Sequence, residues 1–262
     1  MHSWLITGIP RSGTTLLGAL VDSMDNSVCL NEPLWQVDLA RASGNADAFV
    51  HGLTKDFERL RAKLQNGEAV PDLRGAGGAP VTNYLNERGE MVVHPNLFSR
   101  SGLSADFTLA IKHNGLYLGA LPALLDHGFR VVALIRDPLE VLASWRASTL
   151  PVSRGELPAA RYFWPEMAAL HRKPMALLDK QLCLLELLYR RIYEHEERLT
   201  LLRYEDLVMD ASLLQRVFGK SPKPADFKVK KKAMQPLDIP LETLQKKIKD
   251  IAPSARYYYP ES

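Results

Sequence analysis

Apolar residues recur in two rhythms along the chain, and the rhythms alternate. Ser3 to Thr7 is a short, mostly apolar run ended by Gly8, which predicts a buried strand. After Gly13 the period lengthens, and Leu16, Leu17, Leu20, Val21 and Met24 share one helix face. Val28 to Leu30 predicts a second, brief strand, closed by Asn31-Glu32-Pro33. Phe107 to Ile111 and Arg130 to Ile135 predict two more, and Leu199 to Arg203 the last. Helical patterns fill Leu116 to Leu125, Leu139 to Ser148 and Asp179 to Arg198. This alternation predicts an α/β fold, a three-layer sandwich around a central parallel sheet of about five strands.

Two stretches break the rhythm. From Trp35 to Asp106 only a helix over Ala46 to Leu64 is legible, followed by Gly75-Ala76-Gly77-Gly78, a flexible loop. Pro151 to Pro174 is rich in proline and aromatics and reads as a loop insertion. The expected organisation is one domain, 1–262, with insertions at about 35–106 and 149–178. Ligands of parallel sheets sit beyond the carboxyl ends of the strands. The loops after Thr7, Leu30, Ile111 and Ile135 are therefore where chemistry is sought.

Composition narrows the class only slightly. The chain of 262 residues is 46% hydrophobic and 24% charged, ordinary for a protein with a substantial core. A net charge of +3 implies no general polyanion-binding surface, so nucleic acid is not an expected partner. Two cysteines, Cys29 and Cys183, exclude a disulfide-built scaffold and read as separate reduced thiols. With no signal-peptide pattern and no apolar run long enough to span a bilayer, the expected setting is cytoplasmic.

Chemistry first shows at Gly8-Ile9-Pro10-Arg11-Ser12-Gly13-Thr14-Thr15, between the first strand and its helix. Glycines let the backbone approach an anion, while free amides and the positive helix end hold it. The skeleton resembles the P-loop of nucleotide triphosphate hydrolases, which places a lysine after the second glycine. Here Thr14 stands there, and the loop's only cation is Arg11. A phosphate-like group fits this loop; the lysine that meets β and γ phosphates is missing.

A second anion site is suggested by Arg136-Asp137-Pro138, leaving a buried strand at its carboxyl edge, with Ser144 about two helical turns on. Together the two motifs resemble those of the sulfotransferases that use 3′-phosphoadenosine 5′-phosphosulfate (PAPS). Leu202-Arg203-Tyr204-Glu205-Asp206-Leu207 is similar to a third element of that family. The resemblance implies that Pro10, Arg11, Ser12, Gly13, Thr14 and Thr15 bind the 5′ end of the donor. It implies that Arg136 and Ser144 hold the 3′-phosphate and that Tyr204 touches the nucleotide, or else packs as a core aromatic. It further implies PAPS as donor, adenosine 3′,5′-bisphosphate as product and no metal.

Sulfuryl transfer needs an activated hydroxyl and stabilised charge on the departing phosphate, as phosphoryl transfer does. Glu32, at the end of the second strand, projects towards the edge that carries the phosphate loop and is the chosen base. Its position 21 residues after Arg11 is similar to that of the catalytic glutamate in the tyrosylprotein sulfotransferase branch. The plainer alternative has Glu32 pairing with Arg11 or capping the next segment. Lys112, with Arg11, is placed to stabilise the leaving phosphate. His113 is the competing base, since aryl and steroid sulfotransferases use a histidine near a lysine here. Adjacent side chains on a strand point oppositely, however, so only one of Lys112 and His113 faces the donor.

Other features carry less. Lys228, Lys230, Lys231, Lys232, Lys246, Lys247 and Lys249 form a basic region that reads mainly as a solvated face. Trp35, Trp145 and Trp164 read as packing residues. The acceptor is left open among carbohydrate, lipid, phenol and peptide hydroxyls. Two rival readings stand beside sulfuryl transfer: a kinase or nucleotide hydrolase with a degenerate loop, and a non-catalytic nucleotide-binding protein.

Overall fold

In a computed structural model of the chain, residues 3–86, 88–223 and 239–262 are described. The first half comprises β1 (Ser3–Gly8), α1 (Thr14–Ser23), β2 (Ser27–Asn31), α2 (Trp35–Ser43), α3 (Ala46–Gln65), β3 (Val70–Arg74) and β4 (His94–Phe98). Then come β5 (Thr108–Lys112), α4 (Asn114–Gly119), α5 (Leu121–Asp126), β6 (Arg130–Ile135) and α6 (Pro138–Arg146). The chain continues through α7 (Pro165–Arg172), α8 (Leu177–Tyr193), β7 (Thr200–Arg203), α9 (Tyr204–Met209) and α10 (Leu214–Phe218). Two helices, α11 (Leu241–Ile251) and α12 (Pro253–Tyr258), close it.

The expected sheet is present. Five parallel strands lie in the order β2-β5-β1-β6-β7. From β1 the chain runs outward to β2 on one side, and later to β6 and β7 on the other. This reversal at β1 opens a crevice at the carboxyl edge. Successive residues of the central strands feed opposite faces, as the strand period requires. Leu5, Ile111, Val131, Ala133 and Ile135 pack in a large core with α3, α4, α5 and α8. Ile6, Ala110, Val132 and Leu134 pack in a smaller one with α1, α9 and α10. Burial on both faces explains why these strands read as continuous apolar runs.

Three sequence expectations change. Leu116 to Leu125 is not one helix but two, parted at Ala120. Pro122 lacks an N–H and its ring would crowd the Leu118 carbonyl in a continuous helix. Pro151 to Pro174 is not simply loop: 3-10 turns begin at Pro151 and Pro158, and α7 begins at Pro165. The prolines there open helical turns, where a missing N–H costs nothing, and Trp164, Met167 and Leu170 are buried behind them. Finally, 35–106 holds more order than its pattern suggests. Besides α2, it contains the antiparallel pair β3 and β4, in register from Val70 opposite Phe98 to Arg74 opposite His94.

Buried ion pairs hold that antiparallel pair to the main sheet. Arg74 meets Asp72 at 2.7 Å and Asp22 of α1 at 3.1 Å, and Arg100 meets Asp22 at 3.0 Å. Asp72 also accepts from the backbone N–H of Asn31, at the end of β2. Removing one member would leave the others charged and dry, which is costlier than the pairs are stabilising. Among the described residues, no helix is long and apolar enough to cross a membrane.

Candidate active site

The phosphate loop is shaped by two close approaches. A Cβ on Gly8 would lie 2.1 Å from the Leu134 carbonyl oxygen, so only glycine lets the chain pass β6 here. Gly13, at φ 92°, would carry a Cβ 2.4 Å from the Tyr204 ring. Between them, Ser12 Oγ donates to the Leu134 carbonyl at 2.8 Å, and Trp145 Nε1 donates to the Pro10 carbonyl at 2.8 Å. Thr14 and Thr15 open α1, whose first-turn amides lie at the carboxyl edge of the sheet.

Arg11 is held with φ 74°, a conformation costly for any residue with a side chain. Its Nε donates to Ser144 Oγ at 3.1 Å and its Nη1 to Asn83 Oδ1 at 2.8 Å. Arg136, leaving β6, donates to the Arg11 carbonyl at 3.3 Å and pairs with Glu140 at 2.9 Å. Its guanidinium lies 4.5 Å from the centre of the Tyr204 ring. Asp137 caps α6 by accepting from Leu139 N at 2.8 Å, which fixes where that helix carries Ser144. Arg11, Arg136, Ser144 and Tyr204, distant in sequence, thus form one cluster around the loop. Burial, and then the charge of Arg136, lower the pKa of the Arg11 guanidinium.

Glu32 and Lys112 form a second cluster. Lys112 Nζ lies 2.7 Å from Glu32 Oε1, and the Glu32 N–H donates to the Lys112 carbonyl at 2.8 Å. Glu32 therefore pairs with Lys112 rather than with Arg11. Its φ of 45° turns the chain sharply off β2. Burial raises the Glu32 pKa, but the charges of Lys112 and His113 outweigh it and hold the carboxyl below its ordinary value. Only three non-glycine residues have positive φ among the described residues, Arg11, Asn26 and Glu32. Two of the three are candidate site residues.

His113 turns away from Lys112, as strand alternation requires. It is buried, its Nδ1 accepts from Leu116 N at 3.4 Å as the cap of α4, and its ring faces Tyr117. Burial pulls its pKa down to about 4, against the attraction of Glu32. It is a core residue with a structural hydrogen bond.

Sequence reasoning missed Asn31, Asn83, Tyr84 and Glu140. Tyr84 donates its hydroxyl to Asn31 Oδ1 at 2.9 Å and receives Lys112 Nζ at 3.3 Å. Asn83 and Tyr84 sit in the stretch without a legible period, so nothing local announced them. Glu140 was findable, being one helical turn after Arg136. In the basic C-terminal region, Lys247 pairs with Asp179 of α8 at 2.7 Å and serves packing. Lys228, Lys230, Lys231 and Lys232 lie outside the described residues.

No curated protein matches the chain. Solved structures to which it is similar include a sulfotransferase, STF1, from Mycobacterium tuberculosis H37Rv, at 14% identity and a TM-score of 0.41. That match covers 95% of this chain and 76% of the other. Another is a retinol dehydratase in complex with androsterone and inactive cofactor PAP, at 16% identity and a TM-score of 0.31. It covers 95% of this chain and 64% of the other. These likenesses are loose, and neither bears on the assignment. The sequence itself matches the sulfotransferase domain over residues 2–217, a span that runs from β1 into α10 and takes in every cluster described above. The chain belongs to the sulfotransferase family.

Proposed function

We propose that this sulfotransferase takes the sulfuryl group from PAPS and passes it to an acceptor hydroxyl, with Glu32 as general base. The observation that carries this reading is the Glu32–Lys112 pair, a carboxylate and a cation 2.7 Å apart at the carboxyl edge. They come from the ends of β2 and β5, neighbours in the sheet that also carries the phosphate loop.

The residues present fit such a donor. The amides opening α1 and the guanidinium of Arg11 offer an anion site at the loop. Arg136 Nε is buried with no hydrogen-bond partner, an unmet donor beside the same loop. Two guanidiniums held this close, with Glu140 as the facing carboxylate, favour an added anion. Arg136 and Ser144 would hold the 3′-phosphate, Tyr204 the nucleotide, and residues 10–15 the phosphosulfate.

The donor supplies an electrophilic sulfur and a phosphate leaving group. Glu32 accepts the proton of the acceptor hydroxyl, contributing about 10²–10⁴-fold in rate. Paired with Lys112 it is a weak base. An anion that draws Lys112 Nζ towards itself frees the carboxylate, whose burial then favours taking the proton. Lys112 and Arg11 stabilise the negative charge that grows on the departing phosphate, in a partly dry setting where fixed cations are most effective. The segments 35–106 and 149–178 would line the acceptor side. Cys29 and Cys183 are free thiols, in keeping with a cytoplasmic setting.

The test has two arms. Adenosine 3′,5′-bisphosphate without magnesium should raise the melting temperature; stabilisation by ATP with magnesium alone would point to a kinase. Glu32→Gln should remain folded and lose most turnover with PAPS and a panel of phenol, sugar and peptide acceptors. Undiminished turnover in that variant would refute Glu32 as base.

A further inference from the structure

Between β3 and β4 the chain makes an excursion that folds back on itself. The Tyr84 carbonyl accepts from Val92 N at 2.8 Å, the Asn86 N–H donates to the Glu90 carbonyl at 2.9 Å, and Leu85 and Val93 are buried. The stretch is anchored by apolar side chains, and it brings two consecutive polar side chains to the site. Asn83 Oδ1 accepts from Arg11 Nη1 at 2.8 Å. Tyr84 reaches Lys112, whose Nζ lies 3.3 Å from the hydroxyl and 4.4 Å from the ring centre.

The phenol is itself fixed. It carries one proton, and giving that proton to Asn31 Oδ1 leaves its lone pairs to the ammonium. Asn31 in turn donates from Nδ2 to the Leu73 carbonyl at 3.1 Å, so the chain of contacts ends on the backbone of β3. Lysine is a point charge on a flexible stem, and its direction must come from neighbours. Glu32 supplies the charge partner, while Tyr84 supplies the direction.

We propose that Asn83 and Tyr84 are positioning residues, which hold Arg11 and Lys112 aimed at the transferring sulfuryl group. The inference rests on the reading of Glu32, Lys112 and Arg11 as the reacting constellation. Neither residue needs to touch the reacting atoms. Their effect is preorganisation: the cations are already set when charge develops, and no reorientation is required.

Tyr84→Phe keeps the ring and removes the hydroxyl. It should lower kcat about tenfold while leaving KM for the donor within about twofold of the parent. A second readout needs no turnover. Burial raises the Glu32 pKa, while the Lys112 ammonium 2.7 Å away lowers it, and without the Tyr84 hydroxyl that ammonium is no longer held in place. Carbon NMR of the unliganded protein should therefore show the Glu32 carboxyl titrating higher in Tyr84→Phe. Asn83→Ala should also lose turnover about tenfold, with the Glu32 titration unmoved. Parental turnover in either variant overturns the role of that residue, and an unmoved Glu32 titration in Tyr84→Phe overturns the role of Tyr84. Should Glu32→Gln be fully active, the base assignment falls on its own, because the titration reads the Tyr84 contact independently of catalysis.

Discussion

Lys112 Nζ and Glu32 Oε1 are 2.7 Å apart, with the lysine side chain almost wholly out of solvent. A buried ammonium that loses its carboxylate partner is strongly penalised, whereas removing both charges together is not. Lys112→Met and Glu32→Gln should each destabilise the protein. The double variant should be less destabilised than the sum of the two by about 2 kcal/mol, read by urea denaturation. An additive result would mean that the pair does not couple in solution.

His113 gives a pH signature. Its folded pKa of about 4 lies below its ordinary 6.5. Above pH 6.5 neither folded nor unfolded chain holds the proton, and the histidine has no effect. As pH falls from 6.5 towards 4, the unfolded chain takes up a proton that the folded chain refuses, so stability declines. The full loss is about 3 kcal/mol, reached near pH 4 and constant below it. His113→Asn keeps a capping oxygen for Leu116 N and should flatten this part of the stability–pH curve. It should also keep its turnover, in contrast to Glu32→Gln.

Gly13→Ala should be among the most damaging single-methyl changes in the molecule. The residue sits at φ 92°, and its new Cβ would meet Tyr204 at 2.4 Å. Strain and overlap together should cost about 2–4 kcal/mol, seen as a lowered melting temperature. Adding Tyr204→Ala should remove the overlap and recover only part of the loss, since the backbone strain remains.

Ser144→Ala removes the acceptor of Arg11 Nε and leaves the guanidinium tethered at Asn83 alone. The expected outcome is a KM for PAPS raised about tenfold, with a stability change below about 1 kcal/mol. Equal KM values would show that Ser144 has no part in holding the donor.

The central strands β1, β5 and β6 were legible in the sequence because they are buried on both faces and so read as nearly unbroken apolar runs. The phosphate loop was legible for a different reason: Gly8 and Gly13 sit where any side chain would collide, and that requirement is visible in residue identity alone. Glu32 and Lys112 could be named because both end a strand at the carboxyl edge. Their partnership could not, since it depends on β5 lying beside β2, an adjacency with no local signature. Asn83 and Tyr84 were illegible altogether. They lie on an irregular segment positioned by Leu85, Val93 and distant partners, with no period to mark which side chains turn inward. Pro158 and Pro165 misled in the opposite sense, because proline marks a helix start as readily as it marks a loop.

The bracing of β3 and β4 has an evolutionary corollary. Arg74 stands opposite His94 at one end of the antiparallel pair and is fastened to Asp22 and Asp72 beneath it. Whatever runs from residue 75 to 93 thus leaves and re-enters the molecule at one tethered doorway. Lengthening such a segment raises its closure cost by only about 0.6 kcal/mol per doubling. Apart from Asn83, Tyr84 and the buried Leu85 and Val93 that seat them, this stretch is therefore free to be exchanged like a cartridge, and descendants of this protein can differ there without disturbing the sheet that does the chemistry.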